Sequence, residues 1–214
     1  PPASPRARRA NGGFAPMPTR NAGASVINRS SRPSDLPSAE ADKFLASVLR
    51  TDTESGVLVL SNVPCVIVRP EAITSIQKQL EATIGGSAKG ILYLAGERSA
   101  RDGFGPMATA IPSDSPLTLA NARRILDSAA LLGWGRVDIS TFDPGQGRLM
   151  LTVKNSPLAR AYGASKKPVC HFVSGWIGGL GRFLLDRDVL CEEIACLAQG
   201  HERCEFEVRP TEPP

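Results

Sequence analysis

The strand-forming segments of this chain come in pairs, and this pairing limits the folds that are open to it. β-Branched and apolar residues form the paired runs "GVLVL" with "CVIVR", "RVDISTFD" with "RLMLTVKN", and "DVLCEEIAC" with "CEFEV". The turn "PGQG" joins the second pair, and "LAQGHER" separates the members of the third. Such pairs predict β-hairpins, in which neighbouring strands run antiparallel.

The helical segments are grouped between these hairpins instead of alternating with single strands. Apolar residues at helical spacing, with Pro70 at a start and Gly85 at a stop, support this assignment. The predicted helices cover residues 70–84, a segment from residue 87, residues 115–132 and residues 169–185. Grouped helices and hairpins predict an α+β fold with helices packed on an antiparallel sheet, and they argue against a doubly wound nucleotide-binding fold.

The first 38 residues differ in composition from the rest of the chain. They hold seven of the 18 prolines and six arginines against one aspartate, a net charge of +5, so residues 39–214 carry about −1 of the total of +4. We expect residues 1–38 to be a disordered tail, either a linker or a targeting segment, because they have little apolar surface to bury. Residues 39–210 are then a single domain, followed by a short tail at 211–214.

Several classes of protein are unlikely on composition and motifs. The folded part is not basic and shows no helix-turn-helix or zinc-finger spacing, which argues against direct nucleic-acid binding. No apolar run is long enough for a transmembrane segment. Five cysteines in a chain of 214 residues are too sparse for a secreted disulfide scaffold. We therefore expect a cytoplasmic protein with reduced thiols.

Three of the five cysteines are crowded into "CEEIACLAQGHERCEFEV". They are consistent with packed thiols, a redox pair of Cys191 with Cys196, a catalytic pair of a cysteine with a histidine, or a metal site. Clustered thiolates near a carboxylate are typical of tetrahedral zinc sites, and Cys170 and Cys204 would complete three thiols with Cys196. From the residues alone, His201 or Cys191 is the candidate for the fourth ligand.

The stretch "KPVCHFVSGWIGGLGRFLLDRDVLCEEIACLAQGHERCEFEV" resembles the small-molecule-binding domain family named after 4-vinyl reductase. Members include sensor modules of phenol- and xylene-responsive transcription activators and a bacteriochlorophyll-synthesis protein, with a distant relative in vesicle-tethering subunits. The upstream stretch "GVLVLSNVPCVIVRPEAITSIQKQLEATIGGSAKGILYLAGE" is similar to the opening of the aromatic-sensor domains. Together the resemblance covers roughly residues 54–208.

The resemblance implies one zinc ion per chain. In the zinc-containing members, a cysteine before the long helix, a Glu-x-x-Cys and a final cysteine hold the metal, and these positions fall on Cys170, Glu193, Cys196 and Cys204. Four such ligands leave no position for water, so the expected zinc is structural. This ligand set replaces His201.

The resemblance also implies a hydrophobic ligand pocket between the helices and the sheet. The pocket residues that we expect are Phe172, Trp176, Gly179, Trp134 and Cys191. Four glycines in the 169–185 helix either make room for a ligand or allow close backbone packing, for example of a crossing strand.

The function that these features favour is a zinc-stabilised binding module for an apolar or aromatic small molecule, a sensor or carrier that acts as a homodimer. No flavin, nicotinamide or nucleotide motif is present, so we do not expect an enzyme. One alternative is a 4-vinyl-reductase-type protein of bacteriochlorophyll synthesis, or an accessory protein that handles a tetrapyrrole-like ligand. Another is a scaffold or tethering subunit.

Overall fold

The computed structural model describes residues 38–60, 63–109 and 119–211. The tail expected over 1–38 therefore lies outside the described residues except for its last residue, as does the start of the helix predicted over 115–132. The described residues all fall within one compact unit. None of the helices in this part of the chain is long and apolar enough to cross a membrane.

Two antiparallel sheets and a set of helices make up the described part of the chain, as the hairpin pattern predicts. The strands are β1 Leu49–Asp52, β2 Val57–Leu60, β3 Val63–Cys65, β4 Arg136–Asp143, β5 Arg148–Lys154, β6 Val189–Ala195 and β7 Cys204–Pro210. The helices are α1 Ser38–Val48, α2 Pro70–Ile84, α3 Ser87–Thr109, α4 Leu119–Leu131, α5 Pro157–Tyr162 and α6 His171–Leu185, with a short 3-10 helix at Leu197–Gln199.

The larger sheet has the strand order β4-β5-β7-β6, and its two central strands alternate between buried and less buried residues. Leu151 lies opposite Phe206, and Leu149 lies opposite Val208. All four of these side chains are fully buried. Complete burial of a side chain of this size contributes about 1.5–3 kcal/mol, so this face of the sheet is the base of the core.

Both edge strands of this sheet contain an irregularity. In β4 the register with β5 shifts between Ile139 and Thr141, and in β6 the register with β7 shifts between Glu193 and Ala195. A bulge of this kind bends the strand and interrupts its regular hydrogen-bonding pattern. The irregularity in β6 begins at the carboxylate that the resemblance assigns to the metal site.

Helix α6 packs against α3 so closely that glycine is required at the contact. A Cβ atom on Gly175 would lie 1.8 Å from the carbonyl oxygen of Tyr93, and one on Gly96 would lie 2.0 Å from the carbonyl oxygen of Phe172. On the sheet side, a Cβ on Gly181 would lie 2.7 Å from a methyl group of Val208. The glycines of α6 therefore permit close backbone packing, mainly of a helix and at one position of a strand.

The first hairpin is shorter than its sequence indicates. The run from Cys65 to Arg69 is predicted to be a strand, but β3 ends at Cys65, and Val66 and Ile67 are more than 80 % exposed. The following Pro70 restricts Arg69 to an extended backbone and opens α2 instead.

Helix α2 begins at Pro70 and ends before Gly85 as predicted, but its buried residues are polar. Thr74 and Gln77 are buried, whereas Ile76 is 62 % exposed. The Gln77 amide donates to the carbonyl oxygen of Val169 at 2.9 Å. This bond ties α2 to the segment that precedes α6.

Candidate metal centre and ligand cavities

Four side chains from three parts of the fold come together beside the start of α6. Cys170 immediately precedes α6, Glu193 lies in β6, Cys196 follows β6 and Cys204 opens β7. One ligand atom from each of the four lies within 4.8 Å of the others, so the group can hold a metal ion. The antiparallel pairing of β6 with β7 places Glu193 beside Cys204, and the α6 packing brings in Cys170.

The distances between the sulfur atoms fit a tetrahedral site. The Sγ atom of Cys170 lies 3.8 Å from that of Cys204 and 4.0 Å from that of Cys196. Two sulfur ligands of a tetrahedral zinc ion, each about 2.3 Å from the metal, are about 3.8 Å apart. All three thiols are at most 1 % exposed. The donor set therefore fits a closed, buried site without large movement of the backbone.

The carboxylate of Glu193 supplies a second test of this fit. Its Oε2 atom accepts a hydrogen bond from the backbone N–H of Cys170 at 2.8 Å. Its Oε1 atom is buried and has no hydrogen-bond partner among the described residues. A buried unpaired oxygen is costly unless a cation or a donor satisfies it, so Oε1 fits the role of a metal ligand.

Proton affinities in the cluster show what a cation would have to offset. Hydrogen bonds to Cys196 and Cys204, together with burial, raise the pKa of the Cys170 thiol. The thiols of Cys170 and Cys204 hydrogen-bond the Cys196 sulfur and lower its pKa. Burial raises the pKa of Glu193 to about 8. A divalent cation favours the ionised form of all four groups, so metal binding would release protons.

The two candidates for the fourth ligand that the residues alone suggest are not part of this cluster. His201 is exposed in the turn before β7. Cys191 is buried in β6, and burial raises the pKa of its thiol. Its backbone N–H donates to the hydroxyl oxygen of Tyr93 at 3.0 Å, a contact that the sequence pattern does not reveal. The carboxylate of Glu193 takes the position beside the three thiols instead.

An apolar cavity of about 360 Å³ lies between α3, α4, α6 and the sheet. Of the residues expected in a pocket, Phe172, Trp176 and Trp134 line it. The rings of Trp134 and Phe172 are stacked, with centroids 6.1 Å apart and an interplanar angle of 20°. Val137 and Val153 from the sheet complete part of the wall, and strand periodicity alone does not distinguish such residues from ordinary core.

Two of the expected pocket residues lie outside this cavity. A Cβ atom on Gly179 would contact Ala100 at 2.7 Å and the backbone of Glu97, so this glycine serves the contact with α3. Cys191 borders a second, more polar cavity of about 650 Å³ on another side of α6. No pattern in the sequence anticipates this second cavity.

Residues 149–210 match the family model of the vinyl-4-reductase domain. This stretch runs from β5 to β7 and includes all four residues of the cluster. An uncharacterized protein from Methanocaldococcus jannaschii is 33 % identical over 60 residues, which are 28 % of this chain. The match spans only about a third of that relative's length.

Solved structures share the fold at low sequence identity. The phenol-responsive sensory domain of the transcription activator PoxR, solved with phenol, has a TM-score of 0.65 and 22 % identity, over 82 % of this chain and 92 % of that domain. A trafficking protein particle complex subunit 3 from Naegleria fowleri, covalently bound to palmitic acid, has a TM-score of 0.50 and 15 % identity, over 67 % and 96 % of the two chains.

A vinyl-4-reductase family protein from Methanocaldococcus jannaschii is also similar, with a TM-score of 0.46 and 17 % identity, over 69 % of this chain and 84 % of that one. The family resemblance that the sequence carries is confirmed by the family model: residues 149–210 of this chain are a vinyl-4-reductase domain.

Proposed function

We propose that this chain is a non-catalytic binding module, a sensor or carrier, that holds a small, neutral, apolar or aromatic molecule in the cavity beside Phe172 and Trp176. The observation that carries the proposal is the composition of the cavity wall. No charged side chain is among the described residues that line it, and aromatic and aliphatic groups make up most of its surface. A concave apolar site of this kind is the usual form of a small-molecule pocket.

The chemistry of the wall limits the ligand. An ionised group placed in this cavity would lose its hydration without gaining a charged partner, which costs several kcal/mol or more. The hydroxyl of Ser99 offers one polar contact. A volume of about 360 Å³ is near the lower end of the range of roughly 300–1,000 Å³ for such sites, and it favours a ligand with one or two rings over a tetrapyrrole. The similarity to the PoxR sensory domain agrees with a ligand of this size.

We assign a structural role to a zinc ion held by Cys170, Glu193, Cys196 and Cys204. Three thiolates and one carboxylate complete a tetrahedral shell, so the metal would supply folding free energy and not an open catalytic position. It would join the start of α6 to the β6–β7 hairpin. Because α6 also carries Phe172 and Trp176, the metal would fix one wall of the ligand cavity.

The proposal includes a homodimer. Several large apolar side chains are more than half exposed near α2 and α3, namely Val66, Ile67, Ile76 and Leu94. Burial of such surface against a second copy would contribute about 25 cal/mol per Å². Light scattering of the purified protein tests this part, and a monomer at micromolar concentration would contradict it.

Intrinsic fluorescence tests the ligand proposal directly, since both tryptophans of the chain line the cavity. We expect 4-bromophenol, which is neutral at pH 7, to quench the emission of Trp134 and Trp176 with saturation. The matched anion 4-bromobenzoate should quench only by weak collision. Equal saturable quenching by both probes, or none by either, contradicts a neutral apolar ligand.

A pair of variants on one strand separates cavity binding from surface binding. Val153→Phe fills the cavity from β5 and should abolish saturable quenching, whereas Thr152→Phe, on the opposite face of the same strand, should leave it unchanged. The zinc assignment has a separate readout, which is metal analysis of the purified protein. One zinc ion per chain is expected, and a metal-free, fully folded protein with free thiols contradicts it.

A further inference from the structure

The second cavity, of about 650 Å³, is separated from the apolar one by α6. His171 and Ser174 of α6 face it, whereas Phe172 and Trp176 face the apolar cavity. Its other walls are the turn between α2 and α3, the segment 165–168 before α6, and β6. The two cavities therefore differ in position and in lining, and the second one needs its own explanation.

Lysine is concentrated around this cavity. The chain contains only six lysines against 19 arginines. Three of the six, Lys89, Lys166 and Lys167, line the cavity, and a fourth, Lys78, lies 4.8 Å over the ring of Tyr162, which also lines it. We call this cavity the lysine cleft, defined by Lys89, Lys166 and Lys167. No arginine is among its described lining residues.

The carboxylates that line the lysine cleft are already engaged by other groups. Glu81 accepts hydrogen bonds from the Tyr162 hydroxyl and from a glutamine amide. Glu192 pairs with Arg209 on the next strand. Glu193 belongs to the metal cluster.

The lysines have no such partners. Among the described residues, no ion pair joins any of the three lysines of the cleft to an acid, whereas several arginines make ion pairs. The cleft therefore offers positive charge that the protein does not itself neutralise.

Neutral donors add to these charges. The Gly85-Gly86 turn lines the cleft and leads into α3, a helix of 23 residues, whose first N–H groups have no intrahelical acceptor. The hydroxyl of Tyr93 accepts from the backbone N–H of Cys191, and its own proton is available to a ligand. Cationic and neutral donors thus converge from α3, from the 165–168 segment and from the start of α6.

We propose that the lysine cleft is a second binding site, for a phosphomonoester group. Compact lysine ammonium groups act on phosphate as point charges, whereas planar recognition of a carboxylate is the typical use of arginine, which the cleft lacks. A dianionic phosphate can contact several ammonium groups at once. The site does not depend on the neutral ligand of the apolar cavity.

The test is titration calorimetry of the full chain with glycerol 3-phosphate and with inorganic phosphate at low salt. Binding is expected to weaken as salt is added, because the lysines are solvent-accessible. The double variant Lys166→Gln, Lys167→Gln should bind about tenfold more weakly, since each exposed charge pair contributes modestly. The matched control is Lys154→Gln, which removes one exposed lysine outside the cleft and should bind as the wild type does. Lys89→Gln, measured alone, tests the opposite wall.

A second arm distinguishes a soluble ligand from a lipid headgroup with the same chemistry. Co-sedimentation with phosphatidylcholine vesicles that contain phosphatidic acid, compared with vesicles that lack it, reports a membrane source. Binding of glycerol 3-phosphate without vesicle binding identifies a soluble one.

Three results would overturn the proposal. The first is the absence of phosphate binding up to millimolar concentration. The second is equal binding by the double variant and the control. The third is a loss of bound metal in the lysine variants without an effect on phosphate, which would mean that the lysines only balance the charge of the metal centre. Thermal melts show whether each variant is folded.

Discussion

The contact between α3 and α6 yields a sharp test through the substitution Gly175→Ala. The added methyl carbon would lie 1.8 Å from the Tyr93 carbonyl oxygen and 2.6 Å from its carbonyl carbon, whereas real Cβ contacts below 3.0 Å are essentially never seen. The obstacle is backbone, so no side-chain rotation can relieve it. The two helices would have to separate by about 1 Å, and close-packed interiors resist such movement.

The magnitude follows from two opposing effects. Overpacking of a core costs about 1–3 kcal/mol, and a clash with immobile backbone belongs at the upper end of this range. Alanine in place of glycine returns about 1 kcal/mol of helix propensity. We therefore expect a net loss of about 2 kcal/mol, which for a chain of this size lowers the melting temperature by about 4–8 °C.

The matched control is Gly90→Ala in α3. Gly90 is helical and exposed, and a Cβ atom there would have nothing within 4 Å. The same chemical change should therefore stabilise the protein, by about 0.5–1 kcal/mol. Urea unfolding followed by circular dichroism gives both values. If Gly175→Ala is as stable as the wild type, or if both variants shift in the same direction, the close crossing of α3 and α6 is wrong.

Three further predictions concern the metal cluster and the tyrosines. Cys204→Ser should lose the metal and unfold the C-terminal half, and a wild-type melting temperature would contradict this. His201→Ala should keep one metal ion per chain by metal analysis, and loss of metal would restore the histidine as a ligand. The chain has two tyrosines, and both have raised pKa values: that of Tyr162 rises to about 12 through its hydrogen bond to Glu81, and that of Tyr93 rises through burial. Their stabilising effect should be complete below about pH 10 and lost toward pH 12, and half-ionisation near pH 10 in the folded protein, followed by tyrosinate absorbance, would contradict it.

Local signals in the sequence predict much of the fold. Pro70 and Gly85 mark the ends of α2 correctly, because a proline start and a glycine stop act through the backbone alone. Helix α5 carries a signal of the same kind, although it is absent from the predicted helices. Ser156 caps it by accepting from the N–H of Ala159, and Pro157 follows at the first helical position.

Features that depend on distant parts of the chain are harder to predict. The apolar repeat of α2 suggests that its isoleucines are buried, yet Gln77 is buried instead, because its amide reaches Val169 from the far side of the fold. Cysteine spacing suggests His201 for the metal site, and only the family resemblance indicates Glu193. The lysine cleft has no sequence signature, since Lys89 and Lys166 come from separate elements.

The irregular edges of the larger sheet have a consequence for how copies of this protein can meet. A flat, regular edge strand offers a row of free N–H and C=O groups on which another chain can add, and this is a common route to fibres. Here each of the two edges, β4 and β6, is interrupted by a shift of register. Continuous strand addition is therefore disfavoured at both ends of the sheet. Two copies that associate are expected to do so through helices, and the protein should resist fibril formation as long as this sheet stays folded.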